Sequence, residues 1–336
     1  MLPCITNLDS QAFVTLATND RYAFGALVLR QSLLNVHTNR RTVVLITTNV
    51  SDSMRETLSS NFSEVVYVDP LQSHDKGHLA LMKRPDLGIT FTKLYCWTLE
   101  QYEKCVFLDA DTIVLQNIDD LFERDEFSAA PDIGWPDLFN SGVFVFKPSN
   151  VTFHSLLDFA VDNGSFDGAD QGLLNMYFSN WSKQDSSHRL PFVYNMAANI
   201  SYSYLPAFIR FATDVKVVHF LGSKIKPWDH TYKPDTDEVV LHPSSDYCSH
   251  YTLPYIKMWW RLYCQCIRNK STEQGTPYLD TELISIQQPS SSTFHEAAFS
   301  EDHQSAWEHG QIDYMGLDKF ENIQKHLDSL INEPTI

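Results

Sequence analysis

Asp109 and Asp111 close the run Cys105-Val106-Phe107-Leu108-Asp109-Ala110-Asp111, so an apolar stretch of strand length delivers two carboxylates as a close pair at its end. Carboxylate oxygens are hard ligands suited to magnesium or manganese, and an ion of that kind commonly sits on one or two carboxylates plus substrate phosphates. The chemistry indicated is metal-assisted work on a phosphorylated substrate. Asp235 and Asp237 repeat the spacing inside a polar stretch with no apolar run before them, and serve as an internal control. A buried strand of an α/β sheet reads as a short continuous apolar run, and ligands collect beyond the carboxyl ends of such strands. Only Asp109 and Asp111 meet that description; the plainer alternative is a pair of acidic residues capping the next segment.

The elements that must position this pair alternate. Ala12 to Leu16 reads as a strand, residues 17 to 22 as a polar turn, and Ala23 to about Val36 as a helix. Val43 to Ile46 is a second strand, Ser51 to Ser59 a helix with Ser51 as candidate cap, Glu64 to Val68 a third strand, and Thr92 to Gln101 a further helix leading to the strand at Val106 to Leu108. This β-α-β-α-β-α-β order predicts an α/β fold with a mostly parallel central sheet flanked by helices. Beyond it, strands are expected at Gly142 to Phe146 and Val215 to Phe220, and helices at Phe153 to about Val161 and Ala169 to Phe178.

Composition supports one large or two ordinary globular domains: 336 residues, 43% hydrophobic and 13% aromatic. A formal net charge of −17 disfavours nucleic acid or an anionic membrane surface as the main partner, because both need a positive footprint. The six cysteines, Cys4, Cys96, Cys105, Cys248, Cys264 and Cys266, show no paired CxxC spacing, which fits reduced thiols in a cytoplasmic protein. The N-terminal segment lacks a basic region followed by an apolar stretch, and no apolar run approaches spanning length. On that reading, Asn-x-Ser/Thr sites such as Asn150-Val151-Thr152 are unused. Phosphate loops of the Gly-x-Gly-x-x-Gly or Walker type are absent, which argues against a dinucleotide dehydrogenase or a P-loop ATPase.

From about Ile267 the composition shifts to Ser, Thr, Gln, Pro and Glu with little periodicity. The expected division is a folded domain over residues 1–266, a flexible linker over 267–300 and a tail over 301–336. In the tail, Phe320, Ile323, Leu327, Leu330 and Ile331 fall on one helical face. A helix that short needs its stripe covered, by a partner or by its own core.

Several motifs occur in a telling order: Met82-Lys83-Arg84-Pro85, Phe107-Leu108-Asp109-Ala110-Asp111-Thr112, Phe139-Asn140-Ser141-Gly142-Val143-Phe144, Gly168-Ala169-Asp170-Gln171-Gly172 and His219-Phe220-Leu221-Gly222. Over roughly residues 11 to 232 the chain resembles the retaining glycosyltransferases of family 8. The segment Tyr202-Ser203-Tyr204-Leu205-Pro206 and the stretch Trp307 to Met315 narrow the likeness to the self-glucosylating glycogen primers within it. The resemblance implies a GT-A type nucleotide-sugar fold, UDP-glucose as donor, Mn²⁺ as metal, a homodimer, a growing glucan, and a tail that binds glycogen synthase.

Residue by residue, the resemblance implies metal ligands Asp109, Asp111 and His219, and Tyr202 as acceptor, with Tyr204 its less favoured neighbour. A histidine nitrogen in such a set suits manganese better than magnesium. Leu16, Thr18, Asn19 and Tyr22 would meet the nucleotide, with Tyr22 available for uracil stacking; Arg84, Ala110 and Gly222 match further donor contacts. Lys93 and Lys226 would add point charges near the diphosphate, with Lys224 a competitor for the second place. Asn140, Ser141, Asp167, Asp170 and Gln171 match the glucose pocket, and Asp170, Lys93 and Asp167 the catalytic group. Without the resemblance, Asp167 and Asp170 read equally well as helix N-terminal caps. Retention at the anomeric carbon requires either a covalent glucosyl-Asp170 or front-face attack through an ion pair.

Two other readings compete. An apolar strand followed by Asp-x-Asp-x-Thr also fits a haloacid-dehalogenase-like phosphatase, with Asp109 as nucleophile and Asp111 as acid, although there the motif usually lies on the first strand. The second is a non-catalytic scaffold that recruits glycogen synthase through the tail.

Overall fold

The structure is a computed structural model and describes residues 8–71, 85–198, 205–222, 226–242 and 252–268. Its main sheet has six strands in the order β3-β2-β1-β4-β7-β6. Strand β1 (Gln11–Ala17) pairs in parallel with β2 (Arg41–Ile46) and with β4 (Lys104–Leu108), and β2 pairs in parallel with β3 (Glu64–Tyr67). On the far side of β4, β7 (Phe139–Phe146) and β6 (Ser128–Pro131) run antiparallel, so the expected parallel sheet gains an antiparallel flank.

The continuous apolar character of these strands follows from burial on both faces. Successive side chains point to opposite sides of a strand. Ala12, Val14, Phe107, Phe144 and Phe146 therefore join one cluster with Leu94 and Trp97, while Phe13, Val106, Leu108, Val143 and Val145 join the opposite one with Leu29 and Leu33. Phe144 stacks on Phe107 at 5.0 Å and on Trp97 at 5.5 Å, which ties β4 and β7 to the segment that carries Lys93.

Helix α1 (Asp20–Asn35) begins three residues before the expected Ala23, because the Asn19 side chain accepts from the Tyr22 N–H at 3.2 Å and caps it. Helix α2 (Asp52–Ser59) starts after Ser51 as expected, yet the Ser51 side chain makes no capping bond. The helix expected at 92–101 is instead a 3-10 run over Pro85–Thr98. Threonines in this run bond outward: the Thr92 hydroxyl accepts from the Leu71 N–H at 3.0 Å, and Thr90 Oγ1 accepts from the Asp170 N–H at 3.1 Å. Those tertiary bonds compete with a regular helix.

A second, three-stranded sheet has the order β5-β9-β8, from β5 (Thr112–Val114), β8 (Met196–Ala197) and β9 (Val217–His219). Its β5–β9 pairing sets Thr112 opposite His219, one residue from Asp111. Helices α3 (Asn150–Asn163), α4 (Asp170–Tyr177) and α5 (Leu205–Phe211), the hairpin of β10 (Thr231–Lys233) and β11 (Glu238–Val240), and α6 (Leu253–Arg268) complete the described fold. Helix α6 goes unpredicted above, although Ile256, Trp259 and Leu262 recur at near-helical spacing and enter a cluster with Val28, Ile113 and Phe220. It extends into the expected linker as far as Arg268; the remainder of that linker and the 301–336 tail lie outside the described residues. No helix among the described residues is long and apolar enough to cross a membrane.

Candidate metal and nucleotide-sugar site

Strand β4 ends at Leu108, and Asp109, Ala110 and Asp111 form the turn into β5. Two bonds close that turn, from Thr112 N–H at 3.1 Å and Thr112 Oγ1 at 2.7 Å to the Asp109 carbonyl. The Asp109 N–H donates to the Gly142 carbonyl at 2.8 Å and fixes the turn to β7. Across the small sheet, His219 Nε2 lies 3.3 Å from Asp111 Oδ1 and 3.8 Å from Asp109 Oδ2. One ligand atom from each of the three residues lies within 4.8 Å of the others.

The surroundings prepare these groups for a cation. Asn195 Nδ2 donates to Asn140 Oδ1 at 2.8 Å, which turns Asn195 Oδ1 toward His219 Nδ1 at 2.9 Å. With Nδ1 facing that amide oxygen, Nε2 is the nitrogen turned toward the carboxylates, the orientation a metal-bound histidine requires. Gly142 is needed for this packing: a Cβ there would come within 2.2 Å of His219 Cε1. The donor set of two carboxylates and an imidazole suits a divalent transition metal.

Two buried lysines supply fixed positive charge. Lys93 Nζ lies 2.9 Å from Asp109 Oδ1 and 2.6 Å from Asp170 Oδ2, and donates to the Ser141 carbonyl at 3.2 Å. Burial alone would lower its pKa, but Asp109 and Asp170 outweigh that and raise it. Lys226 bonds Asp111 Oδ2 and donates to the Phe220 carbonyl at 2.8 Å. For Asp111, burial is outweighed by Lys226 and then His219, and its carboxyl is held far below the usual range. Asp109 moves the other way: burial raises it, the Lys93 ammonium only partly opposes this, and Asp111 reinforces it. Three carboxylates, Asp109, Asp111 and Asp170, thus face two ammonium groups, and a divalent cation would offset the excess.

Strand β7 and the first turn of α4 build the adjoining pocket. Ser141 Oγ donates to Asp170 Oδ2 at 2.8 Å, and Gln171 Oε1 accepts from Asn140 Nδ2 at 3.0 Å and from the Ser141 N–H at 3.2 Å. Asp167 Oδ1 accepts from Ser165 Oγ and from the Ala169 N–H, both at 2.8 Å, and so holds the turn before α4, whose N-cap is Ala169 with no side-chain capping bond. Burial, opposed by the Ala169 N–H, raises its pKa. Gly172 permits this, since a Cβ would fall 2.2 Å from Asp167 Oδ1.

Lys93, Asp109, Asp111, Asn140, Ser141, Asp167, Asp170, Gln171, His219 and Lys226 line one cleft of about 420 Å³. Leu16, Thr18, Asn19 and Tyr22 form its wall at the end of β1, with Ala110 below. Tyr22 stands edge-on to Trp228 at 5.3 Å. Gly222, with a φ of 94°, and Lys226 close the side nearest His219. Arg84, Tyr202, Tyr204 and Lys224 lie outside the described residues. The control pair behaves differently: Asp237 is gripped by Arg261 at 2.9 and 2.5 Å.

Three further groups, in the cleft or behind it, carry no signal in the sequence. Asp132 Oδ2 accepts from Asn140 Nδ2 and Gln171 Nε2, each at 3.1 Å, and Asn195 orients His219. Nothing near either residue in sequence signals this, because each bond depends on strand pairing. Thr90, which holds the Asp170 N–H, is a third.

A parallel βα sheet that ends in paired carboxylates, beside a pocket of amides, hydroxyls and acids, defines a GT-A type glycosyltransferase. The solved structure of the galactosyltransferase LgtC with donor and acceptor sugar analogs shares the fold, with a TM-score of 0.52 and 16% identity over 76% of this chain and 95% of that one. Residues 13–127 and 123–232 match the model for Glycosyl transferase family 8, and the chain belongs to that family. Glycogenin-1 of Mus musculus is 51% identical over 96% of this chain and its own full length; Glycogenin-1 of Homo sapiens is 46% identical over the same shares. Glycogenin-2 of Homo sapiens is 56% identical over 76% of this chain and 51% of its own. Membership implies a divalent metal and a nucleotide-sugar donor, which the residues above fit, and sets the phosphatase reading aside.

Proposed function

We propose that this protein transfers glucose from UDP-glucose to its own Tyr202 and then extends a short α-1,4-glucan for glycogen synthase. The observation that carries the reading is the hydrogen-bonded path from His219 through Asn195 and Asn140 to Gln171, which joins the metal ligands to the sugar pocket in a single cleft. Similarity to Glycogenin-1 along nearly the whole chain supports it.

Asp109, Asp111 and His219 would hold Mn²⁺, which when bound supplies Lewis-acid stabilisation of the departing diphosphate. Lys226 adds positive charge on the same side. Asn140, Asp167 and Gln171 would bind the glucose hydroxyls, and Ser141 and Lys93 orient Asp170. Transfer breaks the bond between glucose C1 and the diphosphate oxygen, forms one between C1 and the acceptor oxygen, and releases the acceptor proton and UDP. The covalent route needs a carboxylate where Asp170 stands, whereas front-face attack through an ion pair forms no bond to the enzyme.

On this reading residues 1–266 are the catalytic domain of a cytoplasmic homodimer, 267–300 a linker, and 301–336 the segment that binds glycogen synthase. Support for the tail comes from its apolar stripe. The scaffold role then coexists with catalysis, because the acidic residues and lysines of the cleft are intact.

Intact mass after incubation with UDP-glucose and Mn²⁺, with and without chelator, tests the proposal. A metal-dependent hexose ladder on wild type and none on Tyr202→Phe is the expected result. Ladders on both chains would move the acceptor elsewhere, and no ladder on sugar-free wild type would leave only the scaffold.

A further inference from the structure

Trp135 is 64% exposed and its neighbour Ile133 38% exposed, on the turn that joins β6 to β7. Tryptophan is highly buried on average, and apolar surface left open beside a polar cleft marks a contact site. This turn is no loose excursion. The Asp132 N–H donates to the Leu138 carbonyl at 2.8 Å, and the Leu138 N–H to the Trp135 carbonyl at 2.9 Å.

Asp132 ties the turn to the pocket with its two oxygens. Oδ1 accepts from the Gly134 N–H at 2.8 Å and from the Trp135 N–H at 3.3 Å, while Oδ2 accepts from Asn140 and Gln171, each at 3.1 Å. One carboxylate therefore fixes both the sugar-pocket amides and the backbone that carries the indole. The backbone that carries the exposed ring is thus bonded directly to Asp132, a residue that lines the cleft.

We infer that Trp135 forms an acceptor subsite for the α-1,4-glucan, stacking its indole on the C–H face of a glucose unit behind the one whose 4-hydroxyl attacks. The inference rests on the glucan elongation proposed above and adds a residue that selects a chain over a single hydroxyl. Donor glucose is enclosed by hydrogen-bonding groups, whereas units behind the acceptor hydroxyl extend past the cleft mouth, where the apolar faces of a pyranose match a flat aromatic surface. Asp132 acts through that turn as a positioning residue.

The test uses the full chain with maltopentaose as acceptor in trans and UDP-glucose as donor, comparing wild type, Trp135→Ala and Trp135→Phe. Trp135→Ala should raise the KM for maltopentaose roughly tenfold with the KM for UDP-glucose at its wild-type value, and the flat ring of Trp135→Phe should restore most of it. Equal maltopentaose KM values in wild type and Trp135→Ala would overturn the subsite. So would an unchanged KM together with a shift in mass by light scattering, which would assign the ring to contact with a second copy of the chain. Failure of wild type to turn over UDP-glucose at all would remove the elongation reading itself, an outcome distinct from both.

Discussion

The Lys93 ammonium lies 2.6 Å from the Asp170 carboxylate, and the same nitrogen lies 2.9 Å from Asp109. One buried cation therefore spans the Asp109 side and the Asp170 side of the cleft. Lys93→Met would leave two carboxylates in the interior without their counter-charge, and breaking such pairs costs about 3–5 kcal/mol. A large fall in thermal midpoint with loss of glucosyl transfer is expected; a variant as stable as wild type would show that the two carboxylates do not depend on this lysine.

Asn195 fixes the orientation of His219 without reaching the carboxylates itself. Residues in this position typically control metal affinity by 10–100-fold. Asn195→Ala should weaken Mn²⁺ binding by about that factor in titration calorimetry, with the fold retained by circular dichroism. Wild-type affinity would mean that His219 is held some other way.

Lys226 pairs its ammonium with the Asp111 carboxylate. In Lys226→Met, chelator-treated protein should melt well below wild type, because the buried Asp111 carboxylate loses its ammonium counter-charge. Adding Mn²⁺ should then raise the midpoint more than it does for wild type, since the ion supplies the missing charge. Equal metal-induced shifts in the two proteins would contradict the pairing.

Asp237 carries a pH dependence of its own. The Arg261 hydrogen bonds lower its pKa from 3.8 to about 2, against a smaller opposing effect of burial. A carboxyl depressed in the folded state contributes stability that is fully present above its unfolded pKa and is lost as pH falls through the folded value. The difference in thermal midpoint between wild type and Asp237→Asn should therefore be largest above 3.8 and shrink toward pH 2. A difference that grows on acidification would reverse the sign of the argument.

Much of the fold is legible in the chain because strands buried on both faces write themselves as apolar runs. Asp109 and Asp111 were marked by the strand before them, and the control pair at 235 and 237 by the lack of one. The segment around Lys93 is less legible: its apolar and threonine residues predict a helix, but bonds from Leu71 N–H to Thr92 and from Asp170 N–H to Thr90 draw it into a 3-10 run. Such bonds join residues 21 and 80 positions apart, beyond the reach of local propensity.

Local pattern along the chain sets the alternation of strands and helices, the acidic pair at the end of β4, and the residue types of the pocket around Asp170. Long-range pairing sets the rest: Lys93 bridges Asp109 and Asp170, Asn195 turns His219 toward the carboxylates, and Asp132 fastens the Trp135 turn to Asn140 and Gln171. The reason is physical: hydrophobic periodicity is a local property of the chain, whereas the direction of a buried polar group is set by whichever partner sheet pairing brings within hydrogen-bond reach.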